Sequence, residues 1–186
     1  MKFKLPQHRL SEAFYHSLSD GDLPTPSYPT SKGSRPQNLA YLYQLAVRVG
    51  SSKVIEIGAG ASTRVLISAG VKQIWTCDRS GDFRIPGARV FNCESTAMLE
   101  QLTEVPDLYF FDGRIREEDL PHIKRLSNED TWFCFDDFHG LEKGVSNAMR
   151  LYSIERFLMV PVDGPLGRST FAVLAPVNQL AFSIYA

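Results

Sequence analysis

Val54-Ile-Glu-Ile-Gly-Ala-Gly-Ala-Ser-Thr63 is an apolar run that ends in two glycines one residue apart. Arg64 to Ala69, directly after it, reads as helix. A short buried strand that turns tightly into a helix places backbone N–H groups and the positive end of the helix dipole, about half a unit charge, at the carboxyl edge of a sheet. The stretch predicts a small-molecule site. The rest of the chain has to say for which molecule.

Outward from this stretch, strand alternates with helix. Lys53 to Ile57 is the first strand. Upstream, Pro36 suits the first turn of a helix, and Leu39, Leu42, Tyr43, Ala46 and Val49 keep helical spacing until Gly50 stops it. Downstream, Gly70 ends the helix after the glycine turn, and Gln73 to Cys77 is a second strand ending at Asp78. Ala88 to Asn92 reads as a third strand, followed by a helix through Ala97, Met98 and Leu102. Asp107 to Phe111 is a fourth, running into Asp112-Gly113, and a helical segment with Leu120, Ile123 and Leu126 follows. Trp132 to Phe135 is a fifth, ending in Asp136-Asp137, with a helix over Leu141 to Tyr152. Arg156 to Val162 and Ser169 to Ala175 are two final strands, joined by Asp163 to Arg168, short enough for a hairpin. This pattern implies an α/β doubly wound sheet, mostly parallel and covered on both faces, with one antiparallel strand.

Residues 7 to 19 carry Leu10, Phe14 and Leu18 at the spacing of a short amphipathic helix, and Asp20 to Pro36 holds four prolines among Gly, Ser and Thr. We read 1–35 as a helix and Pro-rich loop, either a surface linker or a lid over a ligand with Tyr28 and Lys32 in reach. Residues 36–186 form the main domain, within one globular unit. The net charge of −1 and the absence of a basic run argue against a nucleic-acid or anionic-membrane partner. No secretory signal or membrane span is legible. Cys77, Cys93 and Cys134 each lie in or beside an apolar run, which reads as buried thiols in a reducing, cytoplasmic setting. The partner expected is a small-molecule substrate, and a homodimer is compatible with the composition.

A dinucleotide-binding fingerprint needs a third glycine where this chain has Thr63. It has instead an acid, Glu56, inside an otherwise apolar strand, and a buried carboxylate is costly unless hydrogen-bonded or paired. In this the chain resembles the class I S-adenosylmethionine-dependent methyltransferases, whose first motif is an acid two residues before a glycine-rich turn. Glu56, Gly58, Ala59, Gly60, Ser62 and Thr63 match it, and the resemblance runs from about Pro36 to Ala175. It implies a seven-stranded sheet in the order 3-2-1-4-5-7-6 with the last strand antiparallel, and S-adenosylmethionine as methyl donor, the glycine turn passing under its methionine part. Asp78 stands about 20 residues on, where a carboxylate can accept both ribose hydroxyls. Glu94-Ser95 falls where such enzymes often carry an acid-Ser or acid-Ala pair near the adenine amino group, or else Glu94 or Ser95 caps the next helix.

Asp112, Asp136 and Asp137 each end or follow a hydrophobic strand, so parallel pairing brings them to the edge that holds the glycine turn, with Asp112 facing the donor's reactive end. At ~4 Å and an effective dielectric of ~20, each like-charged pair costs on the order of 4 kcal/mol, so a proton is retained or a cation bound. The resemblance narrows to the metal-dependent O-methyltransferases of the catechol and macrocin kinds, in which acids at these places bind Mg2+ or another divalent cation. The alternative is that Asp112 positions substrate without metal and Asp137 caps the helix near Gly140. His139 is the candidate general base, suited by its pKa near ~6.5, with Lys143 the second. Arg114 and Arg116 either bind an acidic acceptor or pair with Glu117 and Glu118. The function expected is methyl transfer to a hydroxyl of a small molecule. A non-catalytic module that binds the donor and a nicotinamide-dependent oxidoreductase are the competing readings, the latter disfavoured by Glu56 and the missing glycine.

Overall fold

The computed structural model describes residues 2–3, 36–79, 84–138, 141–153, 156–161 and 171–179. Its elements in chain order are β1 (Lys2–Phe3), α1 (Pro36–Val49), β2 (Lys53–Ile57), α2 (Ala61–Ser68), β3 (Gln73–Cys77), β4 (Arg89–Phe91), α3 (Ser95–Gln101), β5 (Leu108–Phe111), α4 (Asp119–Arg125), β6 (Trp132–Asp136), a π-helical turn (Leu141–Val145) continuing into α5 (Ser146–Leu151), β7 (Arg156–Pro161) and β8 (Phe171–Pro176). The sequence-predicted helix over 7–19, the Pro-rich loop before Pro36, His139 and the 163–168 turn lie outside the described residues.

One sheet runs β1-β7-β8-β6-β5-β2-β3-β4. The seven expected strands, β2 to β8, stand in the expected order, and the two-residue β1 adds a parallel edge to β7. Pairing is parallel from β4 through β6, and β8 runs antiparallel to both β6 and β7. The register decides where the chemistry sits. Ile57 pairs with Cys77 and with Phe111, and Phe111 with Phe135. Gly58, Asp78, Asp112 and Asp136 therefore all follow one common rung.

Side chains alternate across the pleat, so each strand feeds two cores. Val54, Leu108, Phe110 and Cys134 pack with Leu42 of α1 and Leu66 of α2 on one face. Ile55, Tyr109, Phe111 and Phe135 pack with Met98 of α3 and Ile123 of α4 on the other. The buried aromatics of the second face stack from β5 to β6, Phe111 on Phe135 at 5.4 Å and Tyr109 on Phe133 at 5.4 Å between ring centres. Trp75 and Trp132 are core residues, as their strand patterns imply. Cys77 and Cys134 are buried, but Cys93 is only half-buried, because β4 stops at Phe91 and leaves it in the turn before α3.

The helix read over 141–152 departs most from expectation. Its first turn is π-helical, and Gly144 lies so close to the preceding loop that a Cβ would meet Phe138 Cα at 2.4 Å and the Asp137 carbonyl oxygen at 2.7 Å. A single π turn widens the helix locally and is enriched at functional sites. Here it carries Lys143 to the carboxyl edge of the sheet.

Candidate functional site

The glycine turn is held mostly by its own chain. The Gly58 and Ala59 N–H groups both donate to the Cys77 carbonyl, at 3.0 and 3.1 Å, and the Gly60 N–H donates to Thr63 Oγ1 at 3.0 Å. The sequence reading placed these donors toward a ligand. They are committed instead to joining β2 to β3 and closing the first turn of α2. Gly58 has φ +107, and a Cβ there would press on Asp112 Cβ at 3.2 Å, so glycine is required by backbone and packing alike. Gly60 differs: a Cβ built there would meet nothing within 4 Å.

Glu56 lies beneath this turn, fully buried, on the β2 face that packs against α1 and α2. Thr63 Oγ1 donates to its Oε2 at 2.5 Å, while Oε1 is buried without a hydrogen-bond partner among the described residues. Burial pushes the carboxyl up to about 7, against the nearby Ser62, Thr63 and Thr76 hydroxyls, which favour the charged form, and Asp112 adds a smaller upward push. A side chain sealed this completely shapes the turn from beneath. Thr63, standing where a third glycine was missing, links Glu56 to the Gly60 amide. Ser62, beside it, is buried at the start of α2.

Asp78 follows β3, half-buried, with its N–H on the Phe91 carbonyl at 3.1 Å. Glu94 is engaged elsewhere than expected, held between Arg79, at 3.1 Å, and Arg116. Neither member of the Glu94-Ser95 pair has its side chain on the helix end. The Ser95 hydroxyl donates to Asp119 at 2.8 Å, joined on that buried carboxylate by Thr96 Oγ1 at 2.7 Å and the Arg116 N–H at 3.0 Å. Asp119 thus pins α3 to α4, a role for which the acidic stretch gave no signal. Arg114 pairs with Glu142 at 2.8 Å and Arg150 with Glu117 at 2.6 Å, so the arginines after Asp-Gly do not form the expected local pairs with Glu117 and Glu118.

The three strand-end aspartates are separated by their partners. Asp136 is buried and accepts a hydrogen bond from Asn38, in the first turn of α1. Asp112 and Asp137 are bridged by the Lys143 ammonium, at 2.7 and 2.8 Å. Burial pushes the Asp112 carboxyl up to about 6 with help from Asp136 and Asp137, although Lys143 opposes the shift. Burial alone would lower Lys143, but the two carboxylates outweigh it and hold it above its ordinary value. A protonated amine has no lone pair to take a proton, so Lys143 is not the base of this arrangement. Among the described residues no three acidic, His or Cys side chains come together as a metal site. The donor set does not fit a divalent cation, since the place between Asp112 and Asp137 holds an ammonium and Asp136 points to Asn38. Asn147 braces the same edge, accepting from the Ile115 N–H at 2.9 Å and donating to the Gly113 carbonyl at 2.8 Å.

A cavity of about 430 Å³ lined by Ser52, Asp107, Asn128 and Trp132 lies at the opposite, amino edge of the sheet. Ligands of doubly wound sheets bind at the carboxyl edge, at the reversal of strand order. Here that reversal falls between β2 and β5, where Gly58 meets Asp112.

No protein-family model matches the chain, and no curated protein sequence is similar to it. Solved structures do match. The methyltransferase PaMTH1 of Podospora anserina, with S-adenosylhomocysteine bound, superposes with a TM-score of 0.57 at 13% identity over 81% of this chain and 82% of its own. The O-methyltransferase of Bacillus cereus, also with S-adenosylhomocysteine, gives 0.54 at 18% identity over 88% and 89%. This chain has the class I methyltransferase fold. A spermidine synthase of Thermotoga maritima gives 0.52 at 17% identity over 74% of this chain, which spans 59% of the length of that enzyme. The methyltransferase fold therefore comes with more than one named activity, and the chemistry has to be argued from the site. Among the described residues no helix is long and apolar enough to cross a membrane.

Proposed function

We propose that this chain is an S-adenosylmethionine-dependent methyltransferase acting on a hydroxyl of a small molecule. One observation carries the reading. Gly60 sits at the strand-order reversal, no neighbouring protein atom crowds it, and the space a side chain would fill is open. Open space over a glycine at this place fits a ligand that lies against the backbone. Asp78, at the end of the adjacent strand, suits the ribose of such a ligand, and Asp112 faces its reactive end. The S-adenosylhomocysteine bound in neighbours of the same fold supports the choice of nucleoside.

The donor supplies a methyl group already activated by a sulfonium. The acceptor oxygen forms the new bond to that carbon as the carbon–sulfur bond breaks with its electron pair left on sulfur, and the hydroxyl proton departs. The chain's work is to hold the reactants collinear and in contact. Glu56, Thr63 and Gly58 fix the turn, and Asp112 with Lys143 forms a charged wall at the reacting end. His139 is the residue we assign as proton acceptor.

Isothermal titration of the purified chain with S-adenosylhomocysteine is expected to give saturable one-to-one binding. A folded protein that binds neither this product nor S-adenosylmethionine would sink the reading. Gly60→Ser sharpens the test, because serine is also a preferred helix N-cap residue, and thermal unfolding of the variant beside wild type checks that it stays folded. Its side chain enters the open space and is expected to weaken S-adenosylhomocysteine roughly tenfold, a change of about 1.4 kcal/mol in binding. Unchanged affinity would place the ligand elsewhere.

A further inference from the structure

We propose that Lys143 is the resident cation of the reaction site, its ammonium standing between Asp112 and Asp137 in the place a divalent ion would need. The inference rests on the methyltransferase reading for what the site does, but not for its geometry. Three observations build it independently of one another.

The first is the bridge, with one nitrogen within 2.8 Å of oxygens from two strand-end loops. An ammonium has three N–H donors, so the bridge uses two and leaves one uncommitted among the described residues. The second is Asp137, the one non-glycine residue with positive φ among the described residues, at +51. For an L-residue this conformation costs roughly 1–2 kcal/mol, and such strain persists where the surroundings impose a geometry. Here it brings the Asp137 carboxylate onto Lys143. The third is Gly144, where any Cβ would run into the backbone of Asp137 and Phe138. The absent side chain lets the π turn lie directly on that loop, and this close approach sets the reach of Lys143. Asn38 meanwhile occupies one oxygen of Asp136 with a hydrogen bond.

An internal cation has a consequence that an ion-pair of structural value alone lacks. Its single charge offsets one of the two carboxylates and its nitrogen occupies the point between both, so the site should gain affinity for a divalent ion only when the ammonium is removed. In Lys143→Glu a carboxylate oxygen falls where the lysine Cε lies, one bond short of the ammonium, giving three carboxylates around the vacated point. Manganese(II) chloride is the probe, titrated into wild type and Lys143→Glu and followed by calorimetry and by the electron paramagnetic resonance signal of free Mn2+. Wild type is expected to show no saturable binding in the sub-millimolar range, and Lys143→Glu to bind Mn2+ roughly tenfold or more tightly than wild type. If that variant fails to fold, Lys143→Met carries the test, since loss of the ammonium alone exposes the Asp112 and Asp137 pair and should also raise Mn2+ affinity over wild type. Saturable sub-millimolar Mn2+ binding by wild type overturns the proposal, as does a folded Lys143 variant that binds Mn2+ no better than wild type. S-adenosylhomocysteine titrated in parallel keeps the two readings apart, because its failure to bind would remove the methyl donor while leaving the manganese contrast intact.

Discussion

Thr63→Val is expected to destabilise the fold by about 2–3 kcal/mol at pH 8 and to weaken S-adenosylhomocysteine by roughly tenfold or more. Valine keeps the shape of threonine but not its hydroxyl, and for a buried residue that is not a neutral exchange. Thr63 is fully buried and its hydroxyl works in both directions, donating to Glu56 Oε2 and accepting from the Gly60 N–H. Removing it leaves Glu56, whose other oxygen has no partner among the described residues, without its one close hydrogen bond. Leaving a buried polar group unsatisfied costs about 1–3 kcal/mol, more when it is charged. For a chain of this size that is a fall in Tm of about 4–12 °C. The binding loss has a separate cause. In the proposed function Gly60 is the residue against which the ligand lies, and its amide is anchored by Thr63, so the variant should mis-set the turn even where it remains folded. Calorimetric unfolding and S-adenosylhomocysteine titration on the same preparation decide the matter. Wild-type affinity in a destabilised variant would mean that Thr63 serves stability alone.

This linkage shows how far the sequence could be read. The strands were legible because apolar runs bounded by Gly, Pro or Asp leave little choice of element, and β2 and β3 fall where the pattern put them. Parallel pairing then brings Gly58, Asp78, Asp112 and Asp136 to one level without further information. What those side chains bond to was not legible. Periodicity places Glu56 in a strand but does not say that Thr63 reaches it, nor that Gly58 and Ala59 spend their amides on Cys77. The repulsion among Asp112, Asp136 and Asp137 correctly required a cation or a proton, yet the ammonium that answers it comes from Lys143, which the sequence reading treated as a base. That assignment depends on a π turn, and a π turn has no periodic signature. Asn38 was invisible for a related reason: α1 was predicted from its apolar positions, and its polar first turn, which meets Asp136 across 98 residues of chain, gave no sign of a partner.

Glu56→Gln is expected to stabilise the protein above neutral pH and to leave it nearly unchanged in acid. The sign follows from the direction of the shift. The carboxyl is raised to about 7 in the fold from 4.5, so between those values the folded state holds a proton that the unfolded state has released. Stability then falls as pH rises through this window, and the full penalty, about 3 kcal/mol, is present above it and absent below it. Glutamine cannot ionise and so removes the whole dependence, while its amide oxygen can still accept from Thr63. The gain in Tm at pH 8 should approach about 6–12 °C, shrinking toward zero near pH 4.5. Asp112, raised to about 6, contributes a slope of the same sign in both proteins, so most of it cancels in the difference between wild type and variant, which reports Glu56 together with its smaller coupling to Asp112. Unfolding followed from pH 4.5 to 8.5 gives the test, and a constant difference across that range would refute a charge buried beneath the turn. A position where glutamine is the more stable choice, yet an acid stands, is one where the carboxylate is retained for what it does to the turn and to the charge above it. S-adenosylmethionine carries a positive sulfonium that S-adenosylhomocysteine lacks, so the wild type should favour the donor over the product increasingly as Glu56 ionises through pH 7. Glu56→Gln should abolish that increase.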